Sequence, residues 1–320
     1  MKQFLVKWLK RFLKLSFILF LTLIFAEITY RYQWLDTYKT EWNFHNEHTI
    51  KKQTNVLVFG DSFTADAKSW FSYLPQSADT AFYNAAIPGI GTETHRLIFT
   101  DRIKQTQPKH VLVQLYIGND LFDIQKPVNW STQAFGRNCF YSLSNHFRVL
   151  NVINYRLGQQ KADLKTAANP KHSEAFVANQ YDPRSKLYIQ ADRGYPQTTI
   201  DLDAEKQALF DQLLADLKEM KATLSPNVSF TVLLIPHCTQ VHQRYVKHFQ
   251  LLGGKSSWKS KNTWSEQLKK AGLNVLDPLP YFMELEKDNQ HLYFENDIHL
   301  TPFGQEKLGN WVKSNWKTHE

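Results

Sequence analysis

At 320 residues the chain is long enough for one large α/β domain with an insertion, or for two small domains. A content of 42% hydrophobic and 14% aromatic residues excludes a disordered polymer and points to a packed globule. The net charge of +8 does not mark a nucleic-acid binder: five cations (Lys2, Lys7, Lys10, Arg11 and Lys14) stand within the first 14 positions without an acid, and setting them aside leaves only about +3.

After that basic block, the 12 residues Leu15–Ala26 are almost wholly apolar. A bilayer span takes about 20 residues, and this core reaches that length only with the Phe12-Leu13 pair before it and Ile28 and Tyr30 after it, Lys14 and Glu27 snorkelling toward water. Residues 1–30 therefore read as a signal anchor or transmembrane segment. A cleaved signal peptide is the alternative, but no Ala-x-Ala site follows the apolar core. Cations ahead of the span place the N-terminus in the cytoplasm and the rest of the chain outside it, in the periplasm if the cell has one. Residues 31–54, polar and aromatic, read as a stalk or a first helix.

From there on, short apolar runs alternate with helical stretches. Strands are predicted at 55–59, 82–84, 111–117, 229–235 and 274–277. The best helix is Asp203–Thr223, with Leu209, Leu213, Leu214 and Leu217 on one face, and a closing helix is expected over Gly304–Lys313. Five β-rich runs separated by helices predict an α/β fold, a three-layer flavodoxin-like sandwich on a five-stranded parallel sheet. It would occupy residues 55–320 with an insertion over about 122–201. That insertion carries Trp130, Phe135, Phe140, Tyr141, Tyr181, Tyr188 and Tyr195. They read either as an aromatic rim suited to a sugar ring or acyl chain, or as side chains that pack the insertion onto the sheet.

Four motifs sit at strand exits or before a helix. Gly60-Asp61-Ser62 follows the run Asn55–Phe59, where open α/β sheets place their ligands. Gly89, in Asn84-Ala85-Ala86-Ile87-Pro88-Gly89, can bring a bare backbone N–H close to a ligand. Gly91 follows, but with no P-loop lysine and no GxGxxG there is no nucleotide signature. Asn119, in Gly118-Asn119-Asp120, can aim an amide at a developing oxyanion. His299 stands in a loop before Pro302, which is expected to open the last helix behind an N-cap at Thr301. Asp297 is placed to hold its tautomer.

In this order the four pieces, Gly-Asp-Ser, Asn-x-x-x-x-Gly, Gly-x-Asn-Asp and Asp-x-His-x-x-x-x-Gly, resemble the blocks of the SGNH (GDSL) hydrolases over about Asn55–Val312. Asp297 stands two residues before the histidine, where many members carry the aspartate three before; here that position is Asn296. The two-residue spacing is similar to a membrane-associated branch related to polysaccharide O-acetyl esterases and acetyltransferases. The resemblance implies a serine esterase or acyltransferase acting on an acylated carbohydrate or lipid. Ser62 would be its nucleophile, His299 its base and Asp297 the orienting acid. The N–H groups of Ser62 and Gly89 and the amide of Asn119 would form the oxyanion hole. If Asn296 is the aligned position instead, a Ser-His dyad remains.

No cofactor and no metal are expected, since no Cys/His spacing fits a metal site and His237 beside Cys238 is too little. Cys139 and Cys238 read either as a disulfide or as two buried thiols. From another class, the rival is a membrane-tethered carbohydrate-binding or assembly protein that keeps the fold without the chemistry. A further rival is an intracellular lipase resting on a membrane.

Overall fold

The computed structural model describes residues 2–32, 34, 54–66, 68–74, 81–124, 143, 147, 149–150, 175–257, 263–288 and 290–316. The contacts divide the chain into two units, the first taking Met1–Trp42, Lys126–Asn129 and Gln133–Asn169 and the second the remainder.

The first unit is built on α1 (Lys2–Arg31), one unbroken helix of 30 residues. Its segment Val6–Thr29, 24 residues of mean hydropathy 2.0, is long and apolar enough to cross a membrane. At 1.5 Å per residue it reaches about 36 Å, beyond the ~30 Å of a hydrocarbon core. The span thus starts well ahead of the apolar core, because one continuous helix carries Val6, Trp8 and Leu9 in line with it. Near its end Glu27 is buried and accepts the N–H of Val149 at 2.9 Å, and Phe20 meets Phe147 edge-on with centroids 6.4 Å apart. Most of the stretch 31–54 lies outside the described residues.

The second unit contains a five-stranded parallel sheet, β1 (Val56–Phe59), β2 (Phe82–Asn84), β3 (His110–Tyr116), β4 (Ser229–Ile235) and β5 (Asn274–Leu276), in the order β2-β1-β3-β4-β5. Each strand is within a residue or so of its predicted bounds. The central β1, β3 and β4 are apolar along nearly their whole length because helices cover both faces. Side-chain alternation identifies those faces. Phe82 and His110, of one parity in the register, meet Trp316 beyond the closing helix. Phe59 and Phe230, of the other parity, meet Phe99 on the helix Thr92–Thr106. The result is the three-layer α/β/α arrangement.

Among the described residues, the further α-helices in chain order are α2 (Ser62–Ala65), α3 (Thr92–Thr106), α4 (Asp120–Ile124), α5 (Pro183–Ala191), α6 (Gln197–Asp201), α7 (Ala204–Ala222), α8 (Cys238–Val241), α9 (Gln243–Leu251), α10 (Thr263–Lys270), α11 (Leu279–Lys287) and α12 (Pro302–Asn315). The closing helix starts at Pro302 behind Thr301, whose hydroxyl accepts the N–H of Gly304 at 3.1 Å. In α7 the buried face is Lys206, Phe210, Leu213, Asp216, Leu217 and Met220. Leu209 and Leu214 are only half-buried, so the buried stripe lies to one side of the leucine face read from the sequence. Charge partners on other elements cause the offset: Arg96 of α3 reaches Asp216 at 3.2 Å, and the Lys206 ammonium sits 5.0 Å above the ring of Phe122.

Cys238 is a buried free thiol, while Cys139 lies outside the described residues. Trp130, Phe135, Phe140 and Tyr141 of the proposed rim also lie outside them. Tyr181, Tyr188 and Tyr195 are 2%, 3% and 0% exposed and pack against Phe249, Phe122 and His237, so these three are core residues and not a rim.

Candidate active site

Ser62 is the first residue of α2, directly beyond the end of β1. The turn before it is tight. A Cβ at Gly60 would stand 2.5 Å from Gln114 Oε1 and 2.8 Å from Thr64 Oγ1, so only glycine lets β1 turn there. Gln114, buried in mid-β3, accepts the N–H of Asp61 at 3.1 Å and the hydroxyl of Thr64 at 2.9 Å. Asp61 caps α2 by accepting the N–H of Phe63 at 2.9 Å. These bonds, with Asn84 donating to the Thr64 carbonyl at 2.8 Å, fix the start of α2 from the adjoining strands.

His299 arrives from the loop before α12. Its Nε2 lies 2.8 Å from Ser62 Oγ, and its Nδ1 lies 2.6 Å from Asp297 Oδ1. The same Asp297 oxygen accepts the backbone N–H of His299 at 3.1 Å, which fixes the loop as well as the ring. The ring lies 4.8 Å from that of Phe63, tilted by 32°. Burial disfavours the imidazolium, but the hydrogen bond and charge of Asp297, with the charges of Asp61 and Asp182, outweigh it and raise the His299 pKa above its ordinary 6.5. Asn296 points elsewhere. Its Oδ1 accepts the N–H of Val177 at 2.6 Å, its Nδ2 donates to the Ala175 carbonyl at 3.1 Å, and its own carbonyl accepts the N–H of Asp182 at 2.9 Å.

Gly89 adopts the left-handed region at φ 75°, a conformation that turns the loop after β2 back toward the sheet and that side chains disfavour. That loop is tied to the turn before Ser62, Ile87 N–H donating to the Gly60 carbonyl at 2.9 Å. Neither Ser62 N nor Gly89 N donates to another of the described residues. Asn119, 5% exposed, follows β3 and donates from Nδ2 to Asp123 Oδ2 at 3.2 Å. An amide nitrogen carries two hydrogens, so a second N–H remains. Asp123 in turn pairs with Arg184 Nη2 at 2.5 Å, and Arg184 Nε donates to Tyr188 Oη at 2.5 Å. Burial drives the Asp61 and Asp120 carboxyls above the usual carboxylate range, and the Asp123 charge adds to it in both. For Arg184 the Asp123 charge dominates and raises its pKa.

Ser62, Asp297 and His299 are thus hydrogen-bonded in one line, and Asn119 and Gly89 stand at neighbouring loops of the same sheet edge. Gln114, Asp123 and Arg184 escaped sequence reasoning. Asp123 carried a signal, since it stands four residues after Asn119 at the start of a helix. Arg184 carried none, lying 61 residues from its partner.

Residues 195–312 match the family model described as SGNH hydrolase-like domain, acetyltransferase AlgX. Among solved structures, a putative platelet activating factor from Streptococcus pneumonia is similar at 12% identity and TM-score 0.43, over 90% of this chain and 96% of that one. A putative lipolytic protein of the G-D-S-L family from Desulfitobacterium hafniense DCB-2 gives 12% and 0.38, over 82% and 99%. The lipase Lip_vut3 from a goat rumen metagenome gives 11% and 0.37, over 84% and 100%. No curated protein matches the chain. The family match is confined to residues 195–312, and the five-stranded parallel sheet on which Ser62 and His299 meet is similar in fold and motif order to the SGNH (GDSL) hydrolases.

Proposed function

We propose that the protein is a membrane-anchored serine esterase or O-acyltransferase that handles an acyl group, of which acetyl is the favoured case, on an extracytoplasmic carbohydrate or lipid. The observation that carries this reading is the line from Ser62 Oγ to His299 Nε2 at 2.8 Å and from His299 Nδ1 to Asp297 at 2.6 Å. Ser62 Oγ attacks the ester carbonyl carbon while its proton passes to His299 Nε2. The carbonyl π pair moves onto oxygen, and the N–H groups of Ser62 and Gly89 and the amide of Asn119 receive that oxyanion. Collapse re-forms the carbonyl and expels the alcohol, which takes the proton back from His299. The acyl-Ser62 ester then passes to water or to a sugar hydroxyl by the same steps in reverse. Asp297 holds the imidazole in the tautomer that can accept the Ser62 proton and balances the imidazolium.

In this reading residues 1–30 anchor the protein, 31–54 form a stalk, and 55–320 form the catalytic domain with its insertion over about 122–201. Acetyl is favoured by the description of the matching family model. A raised His299 pKa supports a base tied to its carboxylate. The test is a fluorophosphonate probe with a short-chain aryl ester. Parent protein is labelled at Ser62 and turns over the ester, and Ser62→Ala loses both while its melting curve is unchanged. Equal turnover by Ser62→Ala overturns the serine mechanism. An unlabelled and inactive parent assigns the protein to the tethered binding class instead.

A further inference from the structure

The oxyanion donor Asn119 does not stand alone, and its support comes from outside the minimal fold. We infer that Arg184, acting through Asp123, is a positioning residue that locks the Asn119 amide with an N–H toward the developing oxyanion. The inference rests on the serine mechanism proposed above.

A terminal amide can rotate by half a turn at little steric cost, exchanging a donor for an acceptor. An oxyanion hole presenting Oδ1 would repel the charge it is meant to hold. Here Asp123 Oδ2 sits 3.2 Å from the Asn119 amide, and a carboxylate accepts only. A flipped Asn119 would set its oxygen against that carboxylate, so Asp123 selects the orientation with nitrogen inward. Asp123 itself is fixed from two sides. Its N–H donates to the Asn119 carbonyl at 2.9 Å, and its Oδ1 takes Arg184 Nη2 at 2.5 Å.

Arg184 compensates a carboxylate whose side chain is only 3% exposed. Without it, that charge would be buried and unbalanced. The same guanidinium also borders the second hole element, since a Cβ on Gly89 would stand 3.6 Å from Arg184 Nη1. It is aimed by helix α5, whose N-cap Asp182 accepts the N–H of Ser185 at 2.7 Å, and by the hydroxyl of Tyr188, whose ring stacks on Phe122 with centroids 4.4 Å apart. Residues of the insertion therefore hold a donor that belongs to the core sheet.

A double-mutant cycle on kcat tests the relay. Asn119→Ala alone should cost about 100- to 1000-fold, as losing one oxyanion donor does elsewhere. Asp123→Asn, nearly isosteric, can donate to Asn119 Oδ1 and permits the flip; we expect a loss of about tenfold to a hundredfold in kcat with KM within about twofold, a share of that donor's worth. In the Asn119→Ala background Asp123→Asn should then cost less than about twofold, because its effect passes through the amide already removed. Arg184→Ala should regain kcat when guanidinium or methylguanidinium ions are added, and Arg184→Ala with Asn119→Ala should not. Equal effects of Asp123→Asn in both backgrounds, or rescue that does not require Asn119, overturn the relay. Fluorophosphonate labelling of the parent at Ser62 keeps the two readings apart. A labelled parent with additive losses removes only the relay, and an unlabelled parent removes the mechanism and the relay with it.

Discussion

Replacing Asp297 and its neighbour Asn296 in turn separates two carboxamide-sized side chains with different tasks. Asp297→Asn keeps the shape and removes the charge. Its Oδ1 now serves both the His299 ring and the His299 backbone N–H, at 2.6 and 3.1 Å. An amide there can turn its N–H2 toward Nδ1 and hold the tautomer protonated on Nε2, which cannot take the Ser62 proton. The loss known for such a change in a Ser-His-Asp triad is about 10⁴ in kcat, or ~5.5 kcal/mol at 1.36 kcal/mol per tenfold. Asn296→Ala breaks two bonds that hold the return of the insertion, to Val177 N and Ala175 O. At about 1 kcal/mol each, net, these come to about 2 kcal/mol of stability. They touch neither Ser62 nor His299. Initial rates with an aryl acetate, beside thermal melts of the same samples, read the two outcomes. Asp297→Asn should melt close to the parent and lose activity, and Asn296→Ala should melt lower and keep kcat within about tenfold. A folded Asn296→Ala with the larger activity loss would refute the assignment of the acid, and mild effects of both would leave a Ser-His dyad.

With the His299 pKa above 6.5, kcat/KM should rise with pH along a limb whose midpoint lies above 6.5, since only neutral imidazole accepts the proton. Stability runs the other way. A folded pKa above the unfolded value contributes stability that is complete below about 6.5 and is lost as pH rises through the folded value. The difference in melting temperature between parent and His299→Gln should therefore shrink as pH rises over that window, and a limb centred below 6.5 would refute the coupling to Asp297. For topology, protease added to spheroplasts should digest the domain beyond α1, because five cations stand in the first 14 residues, ahead of the apolar core Leu15–Ala26; full protection would reverse the orientation.

Much of the fold was legible because the central strands are buried on both faces and so read as unbroken apolar runs. The motif residues were legible for a different reason: Gly60, Ser62 and Asn119 sit where a strand stops and are types that such exits select, while Asp297 and His299 stand in the loop before a capped helix. Partnership across the fold was not legible. The stripe on α7 is displaced because Asp216 is buried against Arg96, and burial, only partly offset by the Arg96 charge, raises that carboxyl to about 6. Nothing within α7 announces that pairing. Tyr188 and Tyr195 gave an ambiguous signal, since an aromatic beside polar residues suits a rim and a core alike until Phe122 and His237 are seen beside them. Glycine and proline punctuation placed α12 to within two residues, as caps are local.

The bond between Ser62 and His299 joins residues 237 apart in sequence. Synthesis at about 5–20 residues per second puts roughly 10–50 s between the appearance of Ser62, the proposed nucleophile, and that of His299, its proposed base. Throughout that interval Ser62 is an ordinary alcohol. The clamp on its helix is late too: Gln305 of α12 accepts the N–H of Trp70 at 2.8 Å, and the Trp70 indole donates to Thr64 at 2.9 Å. Under the proposed serine mechanism, turnover is therefore expected only after the carboxy-terminal portion docks, and a chain interrupted before His299 is expected to be inactive. Regain of turnover during refolding consequently times the completion of the sheet and its last helix, where a signal from α2 alone would report only the first local turn.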